Sequence, residues 1–125
     1  MTNPSKARGT RWEVAVAAFL RDAGFDEVYR MAPAGEFDAG DLGGIPEVAF
    51  ECRDRNRLTL SENVDDANER ARQKKAKYGV TVMKRRGRGA GDAYVAMDLA
   101  TFVRILDDLL LVRDLLQDPS TGGHV

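Results

Sequence analysis

The chain has 125 residues, of which 43% are hydrophobic and 31% charged, and its formal net charge is −1. That is enough for one domain with its own core, and the composition is ordinary for a soluble globular protein. No apolar run reaches the roughly 18 residues of a membrane span, no apolar signal segment is visible, and the single cysteine, Cys52, excludes an intrachain disulfide and a zinc cluster. These features predict a cytoplasmic protein without a membrane partner.

Hydrophobic periodicity and turn residues predict eight elements in the order α-β-β-β-α-β-β-α, forming one domain over residues 1–117. In chain order we expect a helix over 5–23, a strand over 27–31, a short extended piece near 37–42 and a strand over 47–53. A helix from a Ser61 cap to about Tyr78, ended by Gly79, precedes strands over 80–83 and 93–97. Asp98 caps a last helix to about Leu116, and residues 118–125 are expected to be a disordered tail.

The strand–helix–strand step over residues 47–83 favours a parallel pair with a right-handed crossover. We therefore expect an α/β fold with a small mixed central sheet flanked by helices. The last predicted helix is apolar over more than one face. Core packing explains one such face, and an interface with a second subunit would explain the excess.

The small net charge hides an uneven distribution of charged residues. Residues 1–52 and residues 89–125 each sum to −4, whereas residues 53–88 hold 12 basic and 5 acidic residues and sum to +7. A local basic surface of this kind is what phosphate-backbone binding requires. The alternative is a solvated helix face rich in lysine and arginine.

Glu51 and Arg53 stand inside the apolar run Val48–Arg53. An unpaired buried carboxylate costs several kcal/mol or becomes protonated, so this charge needs a partner. A shared divalent metal ion is one explanation, since Asp41 lies ten positions earlier across a Gly-Gly-Ile-Pro turn. If the flanking segments pair as antiparallel strands, the two carboxylates meet and form a site for Mg²⁺ or Mn²⁺. The alternative is a salt bridge on an edge strand.

Alternation along the strand places Glu51 and Arg53 on the same face. Arg53 is then a candidate for holding a phosphate, and the backbone carbonyl of Cys52 for a further metal ligand. The only histidine, His124, lies in the predicted tail, which argues against a Ser-His or Cys-His nucleophilic site.

Basic residues cluster near the end of the second predicted helix and in the Gly-rich turn after the next strand. Together with two arginines before Glu13, they are candidates for contacts with a DNA backbone. The set comprises Arg8, Arg11, Arg70, Lys74, Lys77, Lys84, Arg85, Arg86 and Arg88.

These residues occur in an order that resembles the PD-(D/E)XK nuclease superfamily, most closely the Holliday-junction resolvases of archaea and their phage-encoded relatives. The resemblance covers about residues 6–105. Its motifs are Gly9-Thr10-Arg11-Trp12-Glu13, Gly24-Phe25, Arg30, Gly40-Asp41-Leu42 and Val48-Ala49-Phe50-Glu51-Cys52-Arg53. The family implies a restriction-endonuclease-like fold, Mg²⁺-dependent DNA cleavage and a homodimer.

Residue by residue, Asp41 and Glu51 match the metal-binding acids, Glu13 matches a helix glutamate that contacts a metal ion or its water, and Gln73 loosely matches a supporting polar residue. The chain departs from the pattern where the family has a lysine, because Arg53 stands there. A guanidinium stabilises charge but does not act as a base near neutral pH, and Lys84 is a candidate substitute. Asp38 is an alternative to Asp41 as the ligand.

The leading hypothesis is a metal-dependent endonuclease for branched DNA, with Glu13, Asp41, Glu51 and Arg53 as catalytic residues and Asp41, Glu51, Glu13 and Cys52 as metal ligands. One alternative is a nuclease of the same fold for flaps, restriction-like sites or repair. Others are a non-catalytic DNA-binding module, which Arg53 favours, and a protein-interaction domain.

Overall fold

A computed structural model describes residues 4–31, 42–57 and 59–117. Within these ranges, three helices and five short strands follow one another in the predicted order, with one 3₁₀ turn before the last strand. They are α1 (Pro4–Asp22), β1 (Tyr29–Arg30), β2 (Leu42–Gly43), β3 (Val48–Arg53), α2 (Leu60–Lys74), β4 (Tyr78–Met83), the 3₁₀ turn (Ala90–Asp92), β5 (Tyr94–Ala96) and α3 (Leu99–Gln117). The predicted tail over 118–125 lies outside the described residues.

The strands form a three-stranded mixed sheet and a separate two-stranded ladder. β3 and β4 are parallel, with Val48 opposite Tyr78 and Arg53 opposite Met83, which confirms the predicted parallel pair. β5 pairs antiparallel with the other edge of β4. The short strand β2 pairs antiparallel with β1 instead of with β3. Among the described residues, β2 and β3 are therefore not paired across the Gly-Gly-Ile-Pro turn, and residues 37–41 of the expected extended piece lie outside the described ranges.

The sheet lies between α1 and α2, and each face has a different character. On the α1 side, Trp12 is 2% exposed and its indole Nε1 donates to the Val82 carbonyl oxygen at 3.1 Å. Phe50 and Cys52 join it there in one apolar cluster. Because side chains alternate along a strand, Glu51 points to the opposite face, towards α2. The sheet thus has an apolar face towards α1 and a second face, towards α2, that carries the charge of Glu51.

Helix α2 differs from its predicted boundaries at both ends. It begins at Leu60, so Ser61 lies in the first turn, and Thr59 at the cap position makes no side-chain capping bond. It ends at Lys74 because Lys75 adopts a left-handed conformation with φ of 56°. Gly79 does not end the helix; it lies within β4, where a Cβ would meet the Ala67 carbonyl oxygen at 2.3 Å. Glycine is required there by close helix–strand packing.

Asp98 caps α3 as the sequence predicts. Its Oδ1 accepts from the Thr101 backbone N–H at 2.8 Å, and its Oδ2 accepts from the Asn68 side-chain amide at 2.9 Å. The hydrogen bonds from Thr101 are the largest cause of a lowered pKa for the Asp98 carboxyl, and Arg104 adds a smaller electrostatic contribution. None of the helices that the structure describes has the length and apolar character that a bilayer crossing requires.

Candidate functional site

Glu51 is the fully buried acid that the sequence analysis singled out. It is 0% exposed, and its carboxylate lies between two arginines. Arg70 of α2 donates from Nε to Glu51 Oε1 at 2.8 Å, and Nη1 of Arg53 lies 2.5 Å from Oε2. Among the described residues, no donor forms a regular hydrogen bond to Oε2, so the Arg53 contact is an ion pair. Two guanidinium groups therefore compensate the buried charge.

The network around Glu51 continues along α2. Arg53 Nη2 also donates to Asp66 Oδ2 at 3.2 Å, and Arg70 Nη1 donates to Gln73 Oε1 at 3.4 Å. Gln73, the loose motif match, therefore supports an arginine that holds Glu51. The same-face placement predicted for Glu51 and Arg53 is confirmed by their contact. These links tie the end of β3 to the middle of α2.

Glu13 lies on α1 and pairs with a different arginine from those that hold Glu51. Its Oε1 accepts from Arg30 Nε at 2.6 Å, and Arg30 Nη2 reaches the Thr10 hydroxyl at 3.4 Å. Glu13 and Glu51 thus belong to different ion-pair groups. Within the described ranges, no three His, Cys, Asp or Glu side chains come together to hold a metal ion.

Asp41 and its alternative Asp38 lie outside the described residues. Their neighbour Leu42 is fully buried, and its carbonyl oxygen accepts from Lys74 Nζ at 3.2 Å. The carbonyl of Cys52 accepts from Nη1 of Arg53 at 3.3 Å. The predicted Asp41–Glu51 metal site therefore stays a prediction, as does the choice between Asp41 and Asp38.

A cavity of about 560 Å³ opens where the carboxyl end of β3 meets α1 and β1. Six lysine or arginine side chains line it against two acids, so its lining is strongly cationic. Thr10 and Asn56 add neutral polar groups. The cavity is lined by Lys6, Arg8, Gly9, Thr10, Glu13, Arg30, Met31, Cys52, Arg53, Asp54, Arg55, Asn56 and Arg57. We call this feature the basic cavity.

The cations predicted on α2 and just after it are engaged within the chain. Arg70 holds Glu51, and Lys74 contacts the Leu42 carbonyl. Lys77 Nζ pairs with Asp108 of α3 at 2.8 Å and lies over the Tyr78 ring. Fixing a cation in an internal pair reduces the charge it offers to a ligand. This part of the predicted DNA-binding surface therefore also connects α2 to its neighbours.

The other predicted residues lie on α1 and in the Gly-rich turn. Arg8 lines the basic cavity, with its Nε 4.0 Å from Asp54, and Arg11 is exposed on α1. In the Gly-rich turn, Lys84 lies over the Trp12 ring at 5.9 Å, and Arg85 lies over the Tyr94 ring at 4.7 Å. The remaining two, Arg86 and Arg88, are exposed, and Arg88 lies 3.9 Å from Asp92.

The sequence reasoning missed four cations that line the basic cavity: Lys6, Arg30, Arg55 and Arg57. Arg30 was noted only as a motif residue. Arg55 and Arg57 could have been predicted from the sequence. The segment Arg53-Asp54-Arg55-Asn56-Arg57 alternates arginine with short polar residues at the end of a strand. Residues that follow the carboxyl end of a buried strand are well placed to line a site.

No family model matches this chain, and no curated protein or solved structure matches it either.

Proposed function

We propose that this chain is a metal-dependent endonuclease that binds branched DNA as a homodimer and hydrolyses its phosphodiesters. The observation that carries the proposal is the basic cavity at the carboxyl end of β3, with Arg53 and Glu13 in its lining. Six cations against two acids create a positive potential that attracts a phosphate backbone. Glu13 lies beside these cations in the lining, so a carboxylate is available there for a hydrolytic site.

The donor chemistry suits a hard divalent cation such as Mg²⁺ or Mn²⁺. Asp41 and Glu51 offer carboxylate oxygens, and Cys52 offers a backbone carbonyl, which are the ligand types such ions prefer. When bound, the ion would polarise a phosphate and lower the pKa of a coordinated water. Within the chain, Arg53 would contact a phosphate oxygen at the cavity, and Arg70 would keep Glu51 in place on β3.

A second candidate is a DNA-binding module without catalytic activity. The observation that favours it is the double guanidinium contact with Glu51, which already satisfies the charge that a metal ion would satisfy. A metal ion at this carboxylate would compete with the two arginines for its oxygens. In this version the basic cavity binds the DNA backbone and no bond is broken.

Cleavage of labelled DNA distinguishes the two candidates. A four-way junction, a flap, a linear duplex and a single strand are incubated with Mg²⁺ or Mn²⁺, with and without a chelator. We expect metal-dependent cutting of the junction that is lost in Asp41→Asn and Glu51→Gln and retained in Asp65→Asn, an exposed acid on α2. Cleavage that survives in both site variants would refute the site, and preference for another substrate would reassign the activity.

Arg53→Lys tests the departure from the family pattern. If cutting increases in this variant, arginine at this position limits catalysis. Junction binding without cleavage under either metal, in both the native chain and Arg53→Lys, would establish the non-catalytic module instead. A chain that binds no DNA at any salt concentration would contradict both candidates.

Direct binding measurements test the basic cavity itself. The pair Arg55→Ala/Arg57→Ala removes two cavity cations, and we expect about tenfold weaker DNA binding with a salt slope reduced by about 2. The control pair Arg72→Ala/Lys75→Ala removes the same charge from exposed positions beyond the cavity lining. Equal losses from both pairs would mean that net charge, and not this cavity, governs binding.

A further inference from the structure

Helix α3 exposes many large apolar side chains, and Arg113 is the charged residue that falls among them at helical spacing. Ten of its large apolar side chains are between 37% and 77% exposed. At about 100° per residue, seven of them fall on one stripe, and the other three lie off it. The stripe, here called the α3 stripe, consists of Leu99, Phe102, Val103, Leu106, Leu109, Leu110 and Leu116.

The rest of the domain holds α3 by a different face. Thr101 is the buried residue of the helix, and its hydroxyl lies 3.5 Å from the Asn68 side-chain oxygen on α2. Asp108 pairs with Lys77 at 2.8 Å, and Arg104 Nε donates to the Lys77 carbonyl at 3.3 Å. These polar contacts fix the helix against α2 and against Lys77, which lies just before β4. The α3 stripe points away from them and is not part of the core cluster.

The segments outside the described ranges have too little apolar surface to cover the stripe. In residues 1–3, 32–41, 58 and 118–125, the large apolar residues are Met1, Phe37, Leu58 and Val125, and they are scattered over four separate places in the chain. The seven side chains are spaced along α3 from Leu99 to Leu116, so a segment that covers them needs an apolar surface of comparable length. Within residues 1–125, these segments therefore do not supply a cover for the stripe.

The charges beside the stripe distinguish between possible occupants. Three aspartates and two arginines lie on α3, so the polar surface of the helix is slightly acidic. An interfacial helix that binds anionic lipid has a polar face rich in lysine and arginine, and nucleic acid requires the same sign of charge. Arg113 pairs with Asp114 at 3.1 Å, so covering the stripe does not bury an uncompensated cation.

We propose that the α3 stripe binds the α3 stripe of a second copy of this chain, related by a twofold axis. The exposed parts of the seven stripe residues add up to roughly 700 Å² of surface, which exceeds the roughly 300–600 Å² of the largest apolar patch on a typical monomer. They approach the roughly 800 Å² that each partner contributes to a standard stable interface. Nearly balanced charges along the helix let two identical surfaces meet without strong repulsion.

This pairing does not depend on nuclease activity, because it rests on α3 alone. It adds a location to the homodimer of the proposed function: the contact is made by the last helix, whereas the basic cavity is formed by α1, β1 and the segment after β3. A twofold dimer built in this way leaves both cavities available to bind ligands.

Sedimentation velocity on the full chain tests the pairing with a matched pair of variants. Leu109→Glu places a charge in the stripe, and Leu111→Glu places the same charge off it; the two native side chains are 60% and 59% exposed. We expect the native chain and Leu111→Glu to be dimeric at micromolar concentration, and the Leu109→Glu dimer to be weakened by about a hundredfold or more. Circular dichroism checks that both variants fold.

Four results would overturn the proposal. They are a native chain that stays monomeric throughout the micromolar range, equal dissociation of the two variants, a dimer that neither variant weakens, and a monomer that binds vesicles of anionic phospholipid. Loss of DNA cleavage in a dimeric chain would count against the nuclease and leave the α3 pairing intact.

Discussion

Replacing Glu51 by glutamine removes a charge that two arginines share inside the sheet. The carboxylate is fully buried, whereas the side chains of Arg53 and Arg70 remain 16% and 18% exposed. At an effective dielectric constant of about 20, two unit charges about 4 Å apart attract each other by roughly 4 kcal/mol. The substitution removes two attractions of this kind and leaves two guanidinium groups without their shared anion.

Part of that loss is recovered. Glutamine has no charge to desolvate, its side-chain oxygen still accepts from Arg70, and Arg53 keeps Asp66 at 3.2 Å. Breaking a buried ion pair by removing one partner typically costs 3–5 kcal/mol, and the partial exposure of both arginines favours the lower end. We therefore expect Glu51→Gln to lower the free energy of unfolding by about 3 kcal/mol. For a domain of this size that shifts Tm by roughly 10 °C.

Urea unfolding followed by circular dichroism measures the change, with Asp65→Asn as a control for an exposed acid on α2. The control should stay within about 0.5 kcal/mol of the native chain. A double-mutant cycle with Arg70→Met should give a coupling energy of about 1 kcal/mol or more, because the two residues are in direct contact. A loss below about 0.5 kcal/mol for Glu51→Gln would refute the buried ion network.

Two further predictions concern the cap of α3 and the two kinds of glycine. Asp98→Ala should lower the free energy of unfolding by about 1 kcal/mol through the lost cap, while Asp98→Asn keeps a capping oxygen that does not titrate. The folded pKa of Asp98 is below its ordinary 3.8, so the stabilisation that its charge provides is complete above that value and is lost as the pH falls through the folded pKa. Urea titrations across the acid range should therefore show the native chain losing its stability advantage over Asp98→Asn at low pH. A difference in unfolding free energy that stays constant with pH would contradict this. Gly79→Ala should destabilise the fold by about 2–3 kcal/mol because its Cβ would collide with the Ala67 carbonyl oxygen, whereas Gly9→Ala, with open space on a helix, should stabilise it by about 0.5–1 kcal/mol. Thermal melts of both glycine variants measure these opposite signs, and two changes of the same sign would contradict the packing argument.

Local chemistry made much of the secondary structure predictable. The apolar spacing around Trp12 and Val16 predicted α1, and the β-prone run ending at Arg53 predicted β3 within one residue. Asp98 predicted the start of α3 because a cap bonds to a backbone N–H only three residues away. Such signals are readable in a sequence, since both partners lie within one helical turn or one strand.

The end of α2 and the pairing of β2 were not predictable in the same way. Lys75 takes a left-handed conformation that glycine or asparagine usually adopts, so the helix ends without its usual marker. Gly79 looked like that marker but is needed for contact with Ala67, twelve residues earlier. β2 pairs with β1, and no local pattern selects between two short neighbouring strands.

By itself, the sequence determined that Glu51 needed a partner, because a carboxylate in an apolar strand cannot stay charged alone. It also determined where the positive charge is concentrated along the chain. Only the tertiary structure decided which groups meet: Arg70 comes from a helix nineteen residues away to hold Glu51, and Arg30 crosses from β1 to Glu13. The physical reason is that charge and periodicity are local properties, whereas the partner of a buried charge is set by how helices pack on the sheet.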